Sequence, residues 1–247
     1  MSTVIELQKL SKMYGFGESS VVALDAVDLS VEKGKFVAII GPSGSGKSTL
    51  INLIGLLDRP SHGLYKLDNR DVSRLRPRRR ARVRRDHVGF VFQSFNLIPG
   101  LTVLENVALP LAYKGVSQSK RLKKAAETLA KVSLESRQYY FPRQLSGGQA
   151  QRAAIARALV NWPSIVLADE PTGNLDTATS IQIMELLKEI NEGGNTILMV
   201  THNPELTRYA SRVIYMRDGQ IEYDEKLKAD EVLDLADVPA AVEYEQE

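Results

Sequence analysis

Apolar positions along the chain fall into two rhythms. Phe36-Val-Ala-Ile-Ile40 is an unbroken apolar run between a Lys33-Gly34 turn and a glycine, so it reads as a buried strand. Ser164 to Ala168 and Thr196 to Val200 repeat that pattern, and Phe90-Val-Phe92 is a shorter version of it. Elsewhere apolar residues recur every third or fourth position, the spacing of one helix face. This second rhythm covers Ser48 to Leu57 and much of 102–131, with Leu122, Ala125, Ala126, Leu129 and Ala130 on one face. It runs again from the glycines at 147 and 148 through Ala153, Ile155 and Ala158 to Val160, and over Thr177 to Ile190. Strands alternating with helices after residue 160 predict a parallel α/β core. Val4 to Lys9, Val21 to Leu24, Val27 to Val31 and Leu64 to Leu67 read as short strands of an antiparallel sheet beside that core. Arg212 to Met216 and Ile221 to Tyr223 flank Asp218-Gly219 and predict a hairpin.

Composition fits one large domain, or a core with a smaller lobe: 247 residues, 43% apolar and 25% charged. The longest apolar run is five residues, so no helix is expected to span a membrane. The start, Met1-Ser-Thr-Val-Ile-Glu6, lacks a basic segment and an apolar stretch; no secretion signal is expected, and the cytoplasm is the expected compartment. Zero Cys excludes a disulfide frame, a thiolate metal site and a Cys nucleophile.

One glycine-rich string changes the picture. Gly41-Pro-Ser43-Gly44-Ser45-Gly46-Lys47-Ser48-Thr49 follows a predicted strand and opens a predicted helix, the setting of a phosphate loop, G-x-x-x-x-G-K-[ST]. Its glycines let successive N–H groups turn toward one anion, and the helix start adds free donors and the positive dipole end. Lys47 is placed to reach the β- and γ-phosphates of a nucleotide, and the Ser48 hydroxyl to ligate Mg²⁺. A Gly-Ser linker is the plain alternative, and it has no use for Lys-Ser-Thr followed by Leu-Ile-x-Leu-Ile.

Two carboxylates, Asp169 and Glu170, end the strand Ile165-Val-Leu-Ala. Such a strand delivers Asp169 to the carboxyl edge of a parallel sheet, beside the loop, where it can hold the Mg²⁺ shell. Glu170 is then placed to take a proton from the attacking water. His202 follows the strand Thr196 to Val200, and its ring is expected to touch the γ-phosphate. Gln93 follows Phe90-Val-Phe92, where an amide can bond Mg²⁺ or the attacking water and release it. Taken alone, each has a plain reading as a turn, core or loop residue; beside a phosphate loop they form a catalytic set.

Leu145-Ser146-Gly147-Gly148-Gln149 is a second glycine-rich helix start, an anion site by the same argument. It serves either a second phosphate compound or the γ-phosphate held by a neighbouring chain. With these motifs in this order, the chain resembles the ATP-binding-cassette ATPases over about residues 3–225. The resemblance implies a P-loop NTPase core, α/β with a mixed, mostly parallel sheet, an antiparallel β lobe and an inserted helical lobe. It implies one cassette domain: core and β lobe over about 3–96 and 161–225, helical lobe over about 97–160, and an acidic tail over about 230–247. Tyr14 matches the aromatic on which adenine stacks, Gly41–Thr49 Walker A, Gln93 the Q-loop and Leu145–Gln149 the signature. Asp169 and Glu170 match Walker B, Asn174-Leu175-Asp176 the D-loop, and His202 the switch histidine. In such proteins two copies pair head to tail, so Ser146, Gly147, Gly148, Gln149 and Asp176 would act on the partner's ATP. Thr172-Gly-Asn-Leu-Asp176, Gly89–Ile98 and Leu101–Val107 look like the lipoprotein-releasing, macrolide- and peptide-exporting and cell-division branch, which works with integral membrane permeases. Ala150 departs from the Gln usual after the signature. ATP and Mg²⁺ are the implied cofactors, and the cytoplasmic face of the membrane the implied location.

A net charge of +2 hides an asymmetry: residues 70–85 hold nine Arg and one Asp, and 230–247 hold seven acids and no base. Arg76–Arg85 reads as a solvated or partner-facing loop, then as a contact for anionic lipid headgroups, and last as a nucleic-acid surface. The last would make the chain an ATP-driven clamp on nucleic acid, the rival to a transporter subunit. One cassette, no heptad run, no Cys and no interleaved aromatics argue against it.

Replacing Lys47 with Ala removes the cation aimed at the phosphates. ATP hydrolysis should be abolished and ATP binding weakened, in a steady-state assay and a nucleotide titration.

Overall fold

The computed structural model describes residues 2–15, 20–228 and 231–233. Its strands are β1 (Thr3–Tyr14), β2 (Val21–Glu32), β3 (Phe36–Ile40), β4 (His62–Leu67), β5 (Arg70–Asp71), β6 (Val88–Phe92), β7 (Ile165–Asp169), β8 (Thr196–Val200), β9 (Arg212–Arg217) and β10 (Gln220–Glu225). The helices are α1 (Lys47–Ile54), α2 (Pro77–His87), α3 (Val103–Tyr113), α4 (Gln118–Lys131), α5 (Gly147–Leu159) and α6 (Thr177–Glu192). Two sheets result. One is antiparallel, in the order β2-β1-β4-β5; the other runs β10-β9-β3-β8-β7-β6 and is parallel apart from the edge strand β10.

The solid apolar runs sit at the centre of the second sheet because side chains alternate between its two faces. Phe36, Ala38 and Ile40 enter the core shared with α3, α4, α5 and α6. Val37 and Ile39 enter the opposite core, with Leu50, Leu53 and Ile54 of α1 and the inner face of the antiparallel sheet. Both β7 and β8 divide in the same way: Val166 and Met199 face one core, Leu167 and Leu198 the other. A strand that feeds two cores has no polar face, which is why these runs do not alternate.

Several expected elements differ in extent. The two segments of 21–31 join into one strand that bends at Ala26, where φ is 47° and the amide donates to Ser11 Oγ at 3.0 Å. β1 continues past Lys9 to Tyr14 through irregular register. α1 stops three residues before the expected Leu57, because Leu56 turns left-handed and Gly55 lies under the Phe90 ring, where a Cβ would meet Cζ at 2.2 Å. The helical stretch 102–131 is two helices, α3 and α4. Thr102 and Glu105 form a reciprocal cap at the start of α3, and Lys114 and Gly115 break the pair. Ala130 is exposed, not on the packed face. Thr128 takes a buried place instead, its hydroxyl turned back to Lys124 O at 2.8 Å.

The arginine run is a helix rather than a loop. Pro77 presets the first turn, arginine is a good helix former, and no α2 side chain is buried. Of the acidic stretch 230–247 only 231–233 are described, and there Leu233 is buried with its amide on Thr207 Oγ1. Among the described residues no helix is long and apolar enough to cross a membrane.

α5 lies directly on β6, and a Cβ at Gly89 would stand 2.5 Å from the Ala158 carbonyl oxygen. That neighbour is backbone and cannot swing away, so the strand and helix must part. Gly89→Ala should lower stability by about 1–3 kcal/mol in urea unfolding.

Candidate nucleotide site

Register alone brings the candidate residues to one edge. Ile39 of β3 pairs with Val200 of β8, Val200 with Asp169 of β7, and Asp169 with Phe92 of β6. All four strands run the same way, so the residues just beyond this row emerge side by side: Gly41, His202, Glu170 and Gln93. Adjacent strands lie about 4.8 Å apart, so the row spans roughly 14 Å, the scale of a nucleotide's phosphates with their reactive water.

The phosphate loop is fixed by what lies behind it. A Cβ on Gly41 (φ 143°) would stand 2.1 Å from Met216 O, and one on Gly46 (φ 97°) 2.6 Å from Ala23 O. The loop therefore rests against β9 and β2 at two points that tolerate no side chain. Ser45 is buried, and its carbonyl accepts the Gly219 amide at 3.1 Å. Ser43, Gly44 and Ser48 stay exposed. Lys47 folds over the loop: its Nζ donates to Gly41 O at 2.7 Å, Pro42 O at 2.6 Å and Ser45 Oγ at 3.3 Å. Burial pushes the Lys47 ammonium below the usual lysine range, with the charges of Glu170 and Asp169 pulling it back up.

Burial and the neighbouring Glu170 charge raise Asp169 above the usual carboxylate range, and Lys47 opposes them. Glu170 takes a left-handed backbone conformation, φ 47°, uncommon for a residue with a Cβ. Its amide donates to Val200 O at 2.9 Å, and its Oε1 meets His202 Nδ1 at 2.8 Å. The exposed His202 ring is thus turned to the Glu170 carboxylate.

Gln93 faces the D-loop. Its Nε2 reaches Asn174 Oδ1 at 3.3 Å, Asn174 Nδ2 donates to Gln93 O at 3.1 Å, and a Cβ on Gly173 would collide with the amide at 2.6 Å. Asp176 caps α6 by accepting from the Thr179 amide and hydroxyl, bonds that hold its carboxyl below the ordinary range. Ser146 and Gln149 cap α5 reciprocally. The signature glycines abut their own chain's D-loop and α6. A Cβ on Gly147 would stand 3.0 Å from Leu175 Cδ2 and one on Gly148 2.5 Å from Thr179 Cγ2, with no atom of Gly41–Thr49 within 4 Å of either. Tyr14, half exposed, donates to Asp58 Oδ2 at 3.1 Å.

Two supporting residues escape sequence reasoning. Gln151, fully buried in α5, donates to Pro171 O at 2.6 Å and fastens the signature helix to the loop after Glu170. Arg157 bonds Phe95 O at 2.8 Å and Asn96 O, two left-handed residues just past Gln93. A Gln on the inward face of an alanine-rich helix was the available signal.

A loop moulded for phosphates between β3 and α1, aligned with a carboxylate pair at the end of β7, defines a P-loop nucleotide-binding protein. The family profile described as ABC transporter matches residues 24–173. An uncharacterized ABC transporter ATP-binding protein of Bacillus subtilis, YvrO, is 49% identical over 90% of this chain and 97% of its own. The macrolide export ATP-binding/permease protein MacB of Hyphomonas neptunium is 49% identical over 90% of this chain, which spans only 34% of MacB. The structure titled as a dimeric, post-hydrolysis state of the ATP-binding cassette MJ0796, bound to ADP and Pi, superposes with a TM-score of 0.83 at 48% identity, covering 91% of this chain and 99% of that one. MJ0796 is a protein of Methanocaldococcus jannaschii. The chain belongs to the ABC transporter family as an ATP-binding cassette subunit, and MacB and MJ0796 accord with the exporter branch. A clamp on nucleic acid is thereby set aside.

The folded chain holds the Asp169 proton more tightly than the unfolded chain, so this group costs stability as pH rises from the ordinary carboxylate range through its raised value. Without nucleotide or Mg²⁺, Asp169→Asn should melt higher than the parent at neutral pH. The difference should vanish below the ordinary Asp range, a trend read from melting curves across pH.

Proposed function

We propose that this chain binds and hydrolyses ATP to drive a membrane transporter complex, with two copies closing head to tail over two ATP molecules. The Glu170 carboxylate carries the reading, strained in backbone, aimed along the strand edge beside Asp169 and held by His202. In that role Glu170 accepts the proton of the attacking water and His202 fixes its carboxylate. Lys47 leaves the loop carbonyls for the β- and γ-phosphates, Ser43 to Thr49 cradle the same groups, and Tyr14 stacks on the base. Asp169, Ser48 and Gln93 would hold Mg²⁺. The donor set fits, because the Asp169 carboxylate lies beside Glu170 with Lys47 as its counter-charge, and burial together with the Glu170 charge already raises it. No cluster of three metal-binding side chains occurs among the described residues, which suits an ion carried mainly by phosphate oxygens. When bound, Mg²⁺ would neutralise charge developing on the transferred phosphate.

The head-to-tail dimer is supported by the separation of signature from phosphate loop within one chain and by the dimeric cassette MJ0796. Ser146–Gln149 and Asp176 then complete the partner's site. A permease partner is supported by MacB, in which a cassette like this one forms about a third of an ATP-binding/permease protein. We assign its docking to a cleft of about 760 Å³ with Phe90, Phe92, Leu109 and Tyr113 in its wall and Arg78 and Arg82 of α2 among its arginines. Arg84 and Arg85 are tied inward, to Leu56 O at 2.8 Å and Tyr113 O at 3.0 Å. That geometry favours an apolar permease segment bearing carboxylates over a lipid headgroup. The chain then sits on the cytoplasmic face of the membrane, with 97–160 as its helical lobe.

Glu170→Gln keeps the shape and loses the proton acceptor. Hydrolysis should fall by about 10²- to 10⁴-fold while ATP still binds. The variant should run as a dimer with ATP and as a monomer with ADP in size exclusion with light scattering. An ATP-bound monomer turning over at the parent rate would overturn both the base and the sandwich.

A further inference from the structure

The base platform has a built mounting on this chain. Lys12, only 12% exposed in its side chain, places Nζ 2.7 Å from Asp58 Oδ2 and 2.9 Å from Arg59 O, and 4.7 Å from the centre of the Tyr14 ring. Asp58 Oδ2 also accepts the Tyr14 hydroxyl at 3.1 Å, and its Oδ1 takes the Arg59 amide at 2.7 Å. The Asp58 amide turns back to Asn52 O at 3.3 Å, so the carboxylate is anchored to the last turns of α1, the helix whose first residue is Lys47. Tyr14 is thus held at its hydroxyl by an anion and on one ring face by a cation, both fixed to the phosphate-binding helix.

We propose that Lys12 and Asp58 are positioning residues that lock the Tyr14 ring in a fixed pose for the nucleotide base, leaving one ring face for stacking. A Tyr on a bare strand end would sample several rotamers, and ordering it on binding would cost affinity. Lys12 on the near face also leaves the ring a cation–π contact that an uncharged residue cannot supply. The pair touches neither the phosphates nor the reacting water, so it acts on affinity and not on turnover. This inference rests on the reading of Tyr14 as the base platform.

The test measures ATP affinity, KM and kcat for Lys12→Met, Lys12→Arg, Asp58→Asn and Tyr14→Ala, alongside binding of Mg²⁺-tripolyphosphate, which has no base. Tyr14→Ala should weaken ATP by about 5- to 150-fold, the worth of one stacked base. Lys12→Met and Asp58→Asn should raise KM by part of that factor, with kcat unchanged, tripolyphosphate binding unchanged and Lys12→Arg close to the parent. Unchanged tripolyphosphate binding also certifies that the variants are folded. Parent-like ATP affinity in both Lys12→Met and Asp58→Asn, with Tyr14→Ala impaired, would overturn the mounting and leave the platform. An equal fall in tripolyphosphate affinity would overturn it too, by placing the effect at the phosphate loop. Parent-like ATP affinity in Tyr14→Ala would instead remove the platform on which the proposal rests.

Discussion

The edge that carries the phosphate loop and the carboxylates depends on the register of four parallel strands. The row Ile39, Val200, Asp169 and Phe92 is set by backbone hydrogen bonds buried between two cores, and a slip of one residue would send every side chain of a strand into the opposite core, where its shape does not fit. The edge that carries the candidate site is therefore specified by packing well away from it. Each site residue needs only to be the next one or two beyond a strand whose place is already fixed. The loop, the carboxylates, the histidine and the glutamine come from sequence positions as far apart as 41 and 202, yet no long-range contact among their side chains is required to assemble them.

This division explains what was legible in the chain. Runs such as Phe36–Ile40 and Thr196–Val200 announce themselves because a strand buried on both faces has no polar positions, and Gly41–Thr49 because phosphate binding needs glycine at points of backbone contact. Neither depends on the rest of the fold. Ala26 and Leu56 were illegible for the opposite reason. Their left-handed conformations answer to neighbours, the Ser11 hydroxyl in one case and the close contact of Gly55 with Phe90 in the other. The helix of Arg76–Arg85 was hidden by its charge: with no apolar stripe it offers no period to read, and only Pro77 and the residue type favour it. Gln151, Arg157, Lys12 and Asp58 were missed because each acts through a carbonyl, an aromatic ring or a counter-ion that only tertiary structure brings near.

The site itself is unsettled by design of its charges. Two carboxylates share an edge with one ammonium, and that ammonium spends its hydrogen bonds on the loop's own oxygens. Burial and a neighbouring negative charge make the Asp169 carboxylate costly in the isolated chain, a cost that a divalent cation would relieve, and differential relief is what drives a conformational equilibrium. The links from Gln93 to Asn174, and from Gln151 to Pro171, run from this edge to the D-loop and the signature helix. A change at the carboxylates has short, direct routes to both surfaces that a second copy would meet.

α2 has a different kind of importance. It buries no side chain, it starts on a proline, and two of its arginines tie it down through backbone carbonyls elsewhere. Its exposed positions, Arg78, Arg79, Ala81 and Arg82, are of the sort that change stability little when substituted. A lineage can therefore rewrite this face of the helix, charge by charge, without trading away the core or the strand edge. The proposed docking surface and the nucleotide site are then separately heritable parts of one chain.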